Sequence, residues 1–247
     1  MADRLNINDF ELLTKAANFY VEESFKYLNE IITIELKNLF LKERISEIQL
    51  KKSEQKLIEE FLANDSITSL RNETKIESLL STDTLNALLG AHDNIPKVLE
   101  GRKILRTHEI KGVKILGHIV NLALFVEVMA HRHLFFLKEN GNLNNFIYNQ
   151  FSRSNILNII IFICRSELES EAIKIDAVKL LFKHRNFAVH HTPNNAKKIN
   201  VKISTLINIW NQVIELLRLF EQRERFSEIK FSKRVENEKE SFIETWT

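Results

Sequence analysis

Nine consecutive residues carry the densest chemistry of this 247-residue chain: Lys183-His184-Arg185-Asn186-Phe187-Ala188-Val189-His190-His191. They close an apolar helical run and are followed by Thr192-Pro193. An arginine, a polar neighbour and a histidine five positions on supply what metal-free phosphodiester cleavage needs. The guanidinium is permanently charged, and its fork matches two phosphate oxygens. The imidazole titrates near neutral pH and serves as general acid or base. Asn186 is placed to orient a hydroxyl or a phosphate oxygen.

Helical geometry sorts these residues. At about 100° per residue, with Arg185 at zero, Val189 falls near 40°, Asn186 near 100° and His190 near 140°. On the same scale His184 and His191 fall near 260° and 240°, roughly opposite. His190 is therefore the histidine that shares a side with Arg185 and Asn186. Ile173, Ala177, Leu180, Leu181 and Ala188 form one apolar stripe of this helix, and Val178, Phe182 and Val189 a second. A helix apolar on two sides is packed on two sides. Arg185 continues the second stripe, so its charge requires an anionic partner or ligand. Pro193 disfavours helix at Thr192, which puts His190 and His191 in the last turn. There the helix dipole favours imidazolium, and Arg185 and Lys183 oppose it.

The elements that must position this segment read as helical. The chain has five glycines and two prolines, the first at Gly90 and Pro96, too few for the tight turns of a sandwich or barrel. Asn8-Asp9 reads as the cap of a first helix, with Phe10, Leu13, Ala17 and Tyr20 at helical spacing and the pattern continuing through Leu28, Ile31, Ile32 and Leu39. A charged run from Lys42 to Glu60 is a second helix or an extension of the first, and Asn64-Asp65-Ser66 a break. Short helices and loops are expected over residues 66–112. Strong helices are predicted over 113–138, stopping at Asn140-Gly141-Asn142, over 170–191 and over 204–224. Ser152 to Ser154 are expected to cap a helix through Ile156, Ile160 and Ile163. The expected fold class is all-α: a four-helix bundle over residues 113–225 with additional N-terminal helices over 1–112, separate or packed on the bundle. A charged tail, 226–247, is either a docked short helix, with Phe242 and Trp246 four apart, or loosely ordered.

Net charge is +2, from 35 Lys+Arg against 33 Asp+Glu, which fits a local basic site rather than a nucleic-acid coat. The single cysteine, Cys164, excludes an internal disulfide framework and reads as a buried, inert thiol within its apolar run. Met1-Ala2-Asp3-Arg4 has no apolar signal core, and His118 and Glu127 interrupt the apolar stretch from Ile115 to Met129, so no membrane partner is expected and the chain reads as cytoplasmic.

Arg185-Asn186-Phe187-Ala188-Val189-His190 resembles the R-x4-6-H motif of the HEPN superfamily (higher eukaryotes and prokaryotes nucleotide-binding), in which a polar residue commonly follows the arginine. The resemblance covers about Val113 to Glu224. It implies a helical bundle that forms a homodimer, with two motifs facing each other across a composite cleft. In catalytic members it implies metal-independent RNA cleavage that leaves a 2′,3′-cyclic phosphate. Carried over, Arg185 would stabilise the phosphorane, His190 would transfer protons and Asn186 would orient. Many such proteins are toxins or antiviral effectors, some held by an antitoxin or another regulatory protein. Thr192 stands where some of these toxins carry a tyrosine that a partner nucleotidyltransferase modifies, so the resemblance does not extend to that mode of control.

Other clusters carry weaker expectations. Glu127 and His131 share a face of the 113–138 helix, with Arg132 and His133 beside them. Without a second ligand pair they read as the polar side of the bundle, with Glu127 as the partner of Arg185. Lys197 and Lys198, followed by Lys202, read either as backbone contacts for RNA or as a solvated loop, and His191 as a further substrate contact. Arg102 and His108 repeat the spacing of the motif without its apolar helix. No cofactor is implied. The expected function is an endoribonuclease acting on RNA. The alternatives are a non-catalytic nucleotide-binding or regulatory helical module, and a structural interaction protein in which the motif match is accidental.

Overall fold

A computed structural model of the chain describes residues 3–47, 104–189, 200–224 and 229–247. Eight helices and one two-stranded ladder make up the described residues. In chain order they are α1 (Asp3–Glu47), β1 (Glu109–Lys111), α2 (Gly112–Glu139), α3 (Asn145–Phe151), α4 (Ile156–Ile163), α5 (Arg165–Glu169), α6 (Asp176–Val189), β2 (Asn200–Lys202), α7 (Ile203–Arg223) and α8 (Phe231–Trp246). The fold is all-α.

Contacts divide the chain into two compact units: Met1–Asn29 with Leu105–Thr245 and Thr247, and Glu30–Ile104 with Trp246. In the second unit the described part of α1 buries Ile32, Leu36 and Phe40 at intervals of four residues, one helical face. There the Ile104 amide donates to the Trp246 carbonyl. Residues 48–103 of that unit, and with them the expected break at Asn64-Asp65-Ser66, lie outside the described residues.

In the first unit, α1 begins at Asp3, ahead of the cap expected at Asn8-Asp9, and buries Ala17, Val21, Phe25 and Leu28. Helix α2 is the central element. Ile115, Ile119, Leu122, Ala123, Val126, Met129, Ala130 and Leu134 are all buried, so α2 is apolar on several sides and packed on several sides. Among the described residues it alone is long and apolar enough to cross a bilayer, and most of that stretch is buried inside the protein. Gly117 lets the ring of Tyr27 approach, since a Cβ at this position would fall 2.5 Å from it. Helix α2 stops where expected. Gly141 takes φ 72°, and the amides of Asn140 and Asn142 turn back to the carbonyls of Phe136 and Leu137.

The ladder joins the starts of two long helices. Glu109, Ile110 and Lys111 pair antiparallel with Lys202, Val201 and Asn200, with Ile110 and Val201 buried. Each strand runs directly into a helix, β1 into α2 and β2 into α7. The first amides of α7 have no side-chain cap; those of Ile203 and Ser204 donate instead to the carbonyls of His108 and Arg106.

Two further helices start elsewhere than the sequence suggests. Asn155, not Ser152 to Ser154, caps α4, accepting from the Leu157 amide. The helix expected from Ser170 begins at Asp176. Glu171 sits at φ 56°, a left-handed conformation that ends α5 and prevents a continuous helix through residue 170. The tail is helical as α8, with Phe231, Val235 and Phe242 buried. Ser232 donates both its amide and its hydroxyl to the Glu221 carboxylate, and Arg218 clasps Glu236 at 2.8 and 2.9 Å.

Candidate functional site

Helix α6 packs against both α2 and α7, as its two apolar stripes require. Ala177, Val178, Leu181 and Phe182 are buried. Its first turn is fixed by the Ala177 amide donating to the Gln212 side chain of α7 at 2.7 Å, and Asp176 there complements the positive helix end. This double packing sets the angular position of the residues that follow.

Arg185 is reached one turn after Phe182 and emerges partly from the packed zone. Its Nη2 lies 3.2 Å from Oε2 of Glu127 on α2. The side chains are 27 % and 30 % exposed. Glu127 is thus the carboxylate that α2 offers to Arg185. Only one guanidinium nitrogen is engaged by it. A second, Nη1, makes a long 3.4 Å contact to Oδ1 of Asn186, which is itself exposed. The fork is held at one corner while part of it faces solvent, next to an amide. That arrangement can accept a phosphate oxygen without dismantling the core.

His190, His191, Lys197 and Lys198 lie outside the described residues, and so does Arg102. His184 is half-buried on α6. Burial lowers its pKa below the ordinary 6.5, and the Lys183 charge pushes the same way. His131, one turn beyond Glu127 on α2, is likewise lowered by burial, with the Glu127 charge opposing. Both rings are therefore biased toward the neutral form.

The polar residues of α2 do not converge on one site. Arg132 and His133 turn away from Glu127 into the interior. Arg132 Nη1 lies 2.8 Å from Oε2 of Glu224 and Nε donates to the Thr14 hydroxyl at 3.1 Å. His133 Nδ1 lies 2.9 Å from Oε1 of the same carboxylate, and its ring stacks on Phe220 at 4.5 Å. A second internal network centres on His118. The Trp210 indole donates to its Nε2 at 3.2 Å, so that nitrogen is the acceptor and Nδ1 carries the proton, which the Ser24 carbonyl accepts at 3.0 Å. Burial drives the His118 pKa down to about 4, with the Ser24 bond opposing, so the ring is neutral. Both networks are enclosed, and neither presents a reactive group to solvent. Cys164 is buried, and burial pushes its thiol up to about 12, which removes thiolate chemistry near neutral pH.

No protein-family profile, curated protein or solved structure matches the chain. The functional reading therefore rests on the residues themselves.

Proposed function

We propose that the protein is a cytoplasmic, metal-independent endoribonuclease of HEPN type, acting as a homodimer. The observation that carries this reading is the half-open guanidinium of Arg185, held at one corner by Glu127 and flanked by Asn186, with His190 five residues on in the sequence. In the reaction the 2′-hydroxyl of RNA attacks the adjacent phosphorus. The P–O5′ bond breaks, leaving a 2′,3′-cyclic phosphate and a 5′-hydroxyl. Arg185 stabilises the charge on the non-bridging oxygens, where fixed donors matter most. His190 transfers the proton, and Asn186 orients the attacking group. Lys197, Lys198 and His191 would hold the strand. A toxin or antiviral role, with a protein that restrains it, follows from the same reading.

The Glu127 carboxylate favours a second reading: with Arg185 already neutralised, the site binds a nucleotide and does not cut. One experiment separates the two. Purified protein in EDTA is incubated with labelled single-stranded RNA, and the ends are analysed. Cleavage leaving cyclic phosphates, lost in both Arg185→Ala and His190→Ala, is the expected result. Activity surviving both substitutions would overturn the enzyme reading, and nucleotide binding without cleavage would select the second.

A further inference from the structure

Helix α3 carries an aromatic ring that the fold does not use. Phe146 is 79 % exposed, more than any other large apolar residue described. The helix is anchored without it: Phe151 stacks on Phe162 at 4.0 Å, and Tyr148 lies edge-on to Phe135 with the Lys138 ammonium 5.0 Å above its ring.

The surroundings of Phe146 have a definite chemistry. Asn149, Gln150 and Arg153 follow at i+3, i+4 and i+7, so they share its face. Ser152 keeps the helical conformation that carries the chain on to Arg153. All three are exposed. Neighbouring amides are consumed by the backbone: Asn144 and Asn155 cap α3 and α4, and Asn140 donates to the Phe136 carbonyl. The amides of Asn149 and Gln150 make no such bond, and Arg153 makes no ion pair among the described residues. The segment from Asn140 to Ser166 contains no aspartate or glutamate, in a chain that holds 33. Its charged residues are Arg153 and Arg165, the second committed to Glu169.

An exposed ring flanked by amides and, one turn on, a guanidinium that have no side-chain partner among the described residues, with no carboxylate in the segment, suits a single-stranded nucleic acid. A base stacks on the ring, the amides read its edge and the arginine meets a phosphate. Asn and Gln side chains match the adenine edge in particular, through its N6 donor and N7 acceptor. We infer that this face of α3 is a binding site for single-stranded, adenine-containing RNA, with Phe146 as the stacking platform. It is distinct from Arg185: α3 meets α2 at Phe135 and Lys138, eight and eleven residues past the Glu127 that holds Arg185, about 12 Å or more along the helix. The site gives the proposed ribonuclease its substrate class and rests on that reading only for its purpose, not for its binding.

The test uses the full chain carrying Arg185→Ala, so that cleavage cannot interfere, with fluorescence anisotropy of a labelled 12-nucleotide oligoadenylate. Binding is expected to weaken about tenfold in Phe146→Ala and in Phe146→Leu and to persist in Phe146→Trp, because stacking rather than apolarity is the contact. Oligouridylate should bind more weakly, and duplex RNA should not compete. Arg153→Ala should flatten the salt dependence. Phe146 packs against little, so its variants should keep the parent melting temperature. Parent binding that is absent, or matched within twofold by Phe146→Ala, would overturn the site. A change of oligomeric state in Phe146→Ala with RNA binding intact would overturn it equally, assigning the face to a second copy of the chain. Binding without cleavage by the native chain would instead leave this site standing and remove the ribonuclease reading.

Discussion

Helix α2 offers two arginine–glutamate pairs, and their environments differ sharply. Arg132 and Glu224 are each 1 % exposed, and the carboxylate is shared with His133. Arg185 and Glu127 are 27 % and 30 % exposed and meet through a single nitrogen. The enclosed pair has both carboxylate oxygens matched, joins α2 to the end of α7 and, through Thr14, reaches α1. It is structural. The open pair leaves part of a fork for a ligand at little cost to the fold. The same two residue types thus build a joint in one place and a candidate site in the other, and burial decides which.

The comparison breaks most readily at the enclosed pair. Glu224→Ala removes the carboxylate that Arg132 and His133 both contact, leaving Arg132 only the weaker influence of Glu221, and a loss of about 3–5 kcal/mol in unfolding free energy is expected by urea titration. The double replacement Arg132→Met, Glu224→Leu removes both charges and should be closer to wild type than either single change.

Acid is the next lever. Unfolded His118 takes up its proton near its ordinary pKa of 6.5, whereas the folded ring does so only near 4. The folded state therefore binds fewer protons in that window. Stability from this ring is complete above pH 6.5 and is lost as pH falls toward 4, by about 3 kcal/mol. His131 and His184, lowered in the same direction, add to the slope. Urea midpoints at pH 7, 5.5 and 4.5 should show this decline, and His118→Gln should flatten it. A pH-independent midpoint would mean that His118 is not enclosed as described.

The smallest effect on stability is expected at the open pair. Glu127→Ala should cost less than about 1 kcal/mol, as partly exposed ion pairs do. A loss as large as that of Glu224→Ala would erase the distinction between the two regions.

Much of this architecture was legible in the sequence. The scarcity of glycine and proline marked a helical protein, and the apolar periodicity of α2 and α7 located both helices to within a residue or two. The double stripe on α6 announced its packing between two neighbours. The ladder was not legible, because three-residue strands carry no usable period. The gap before α6 was hidden because Ile173 fits the helical stripe of Ala177, Leu180 and Leu181 although the backbone at Glu171 breaks the helix. Glu127 could be matched to Arg185 because it is the one carboxylate inside the apolar run of α2. Glu224 gave no such sign: it ends an amphipathic helix, a place where carboxylates usually face solvent. His118 interrupts an apolar run, and its partners Ser24 and Trp210 stand more than ninety residues away. The exposure of Phe146 leaves no mark in the sequence and emerges only with the fold.

The most direct test of the account is to measure RNA cleavage and melting temperature together on Arg185→Ala. Cleavage abolished with the melting temperature close to that of the parent is the predicted result, since the proposed function gives the open pair to chemistry and its exposure leaves it little weight in the fold. Undiminished cleavage, or a collapse of stability comparable to that of Glu224→Ala, would contradict it.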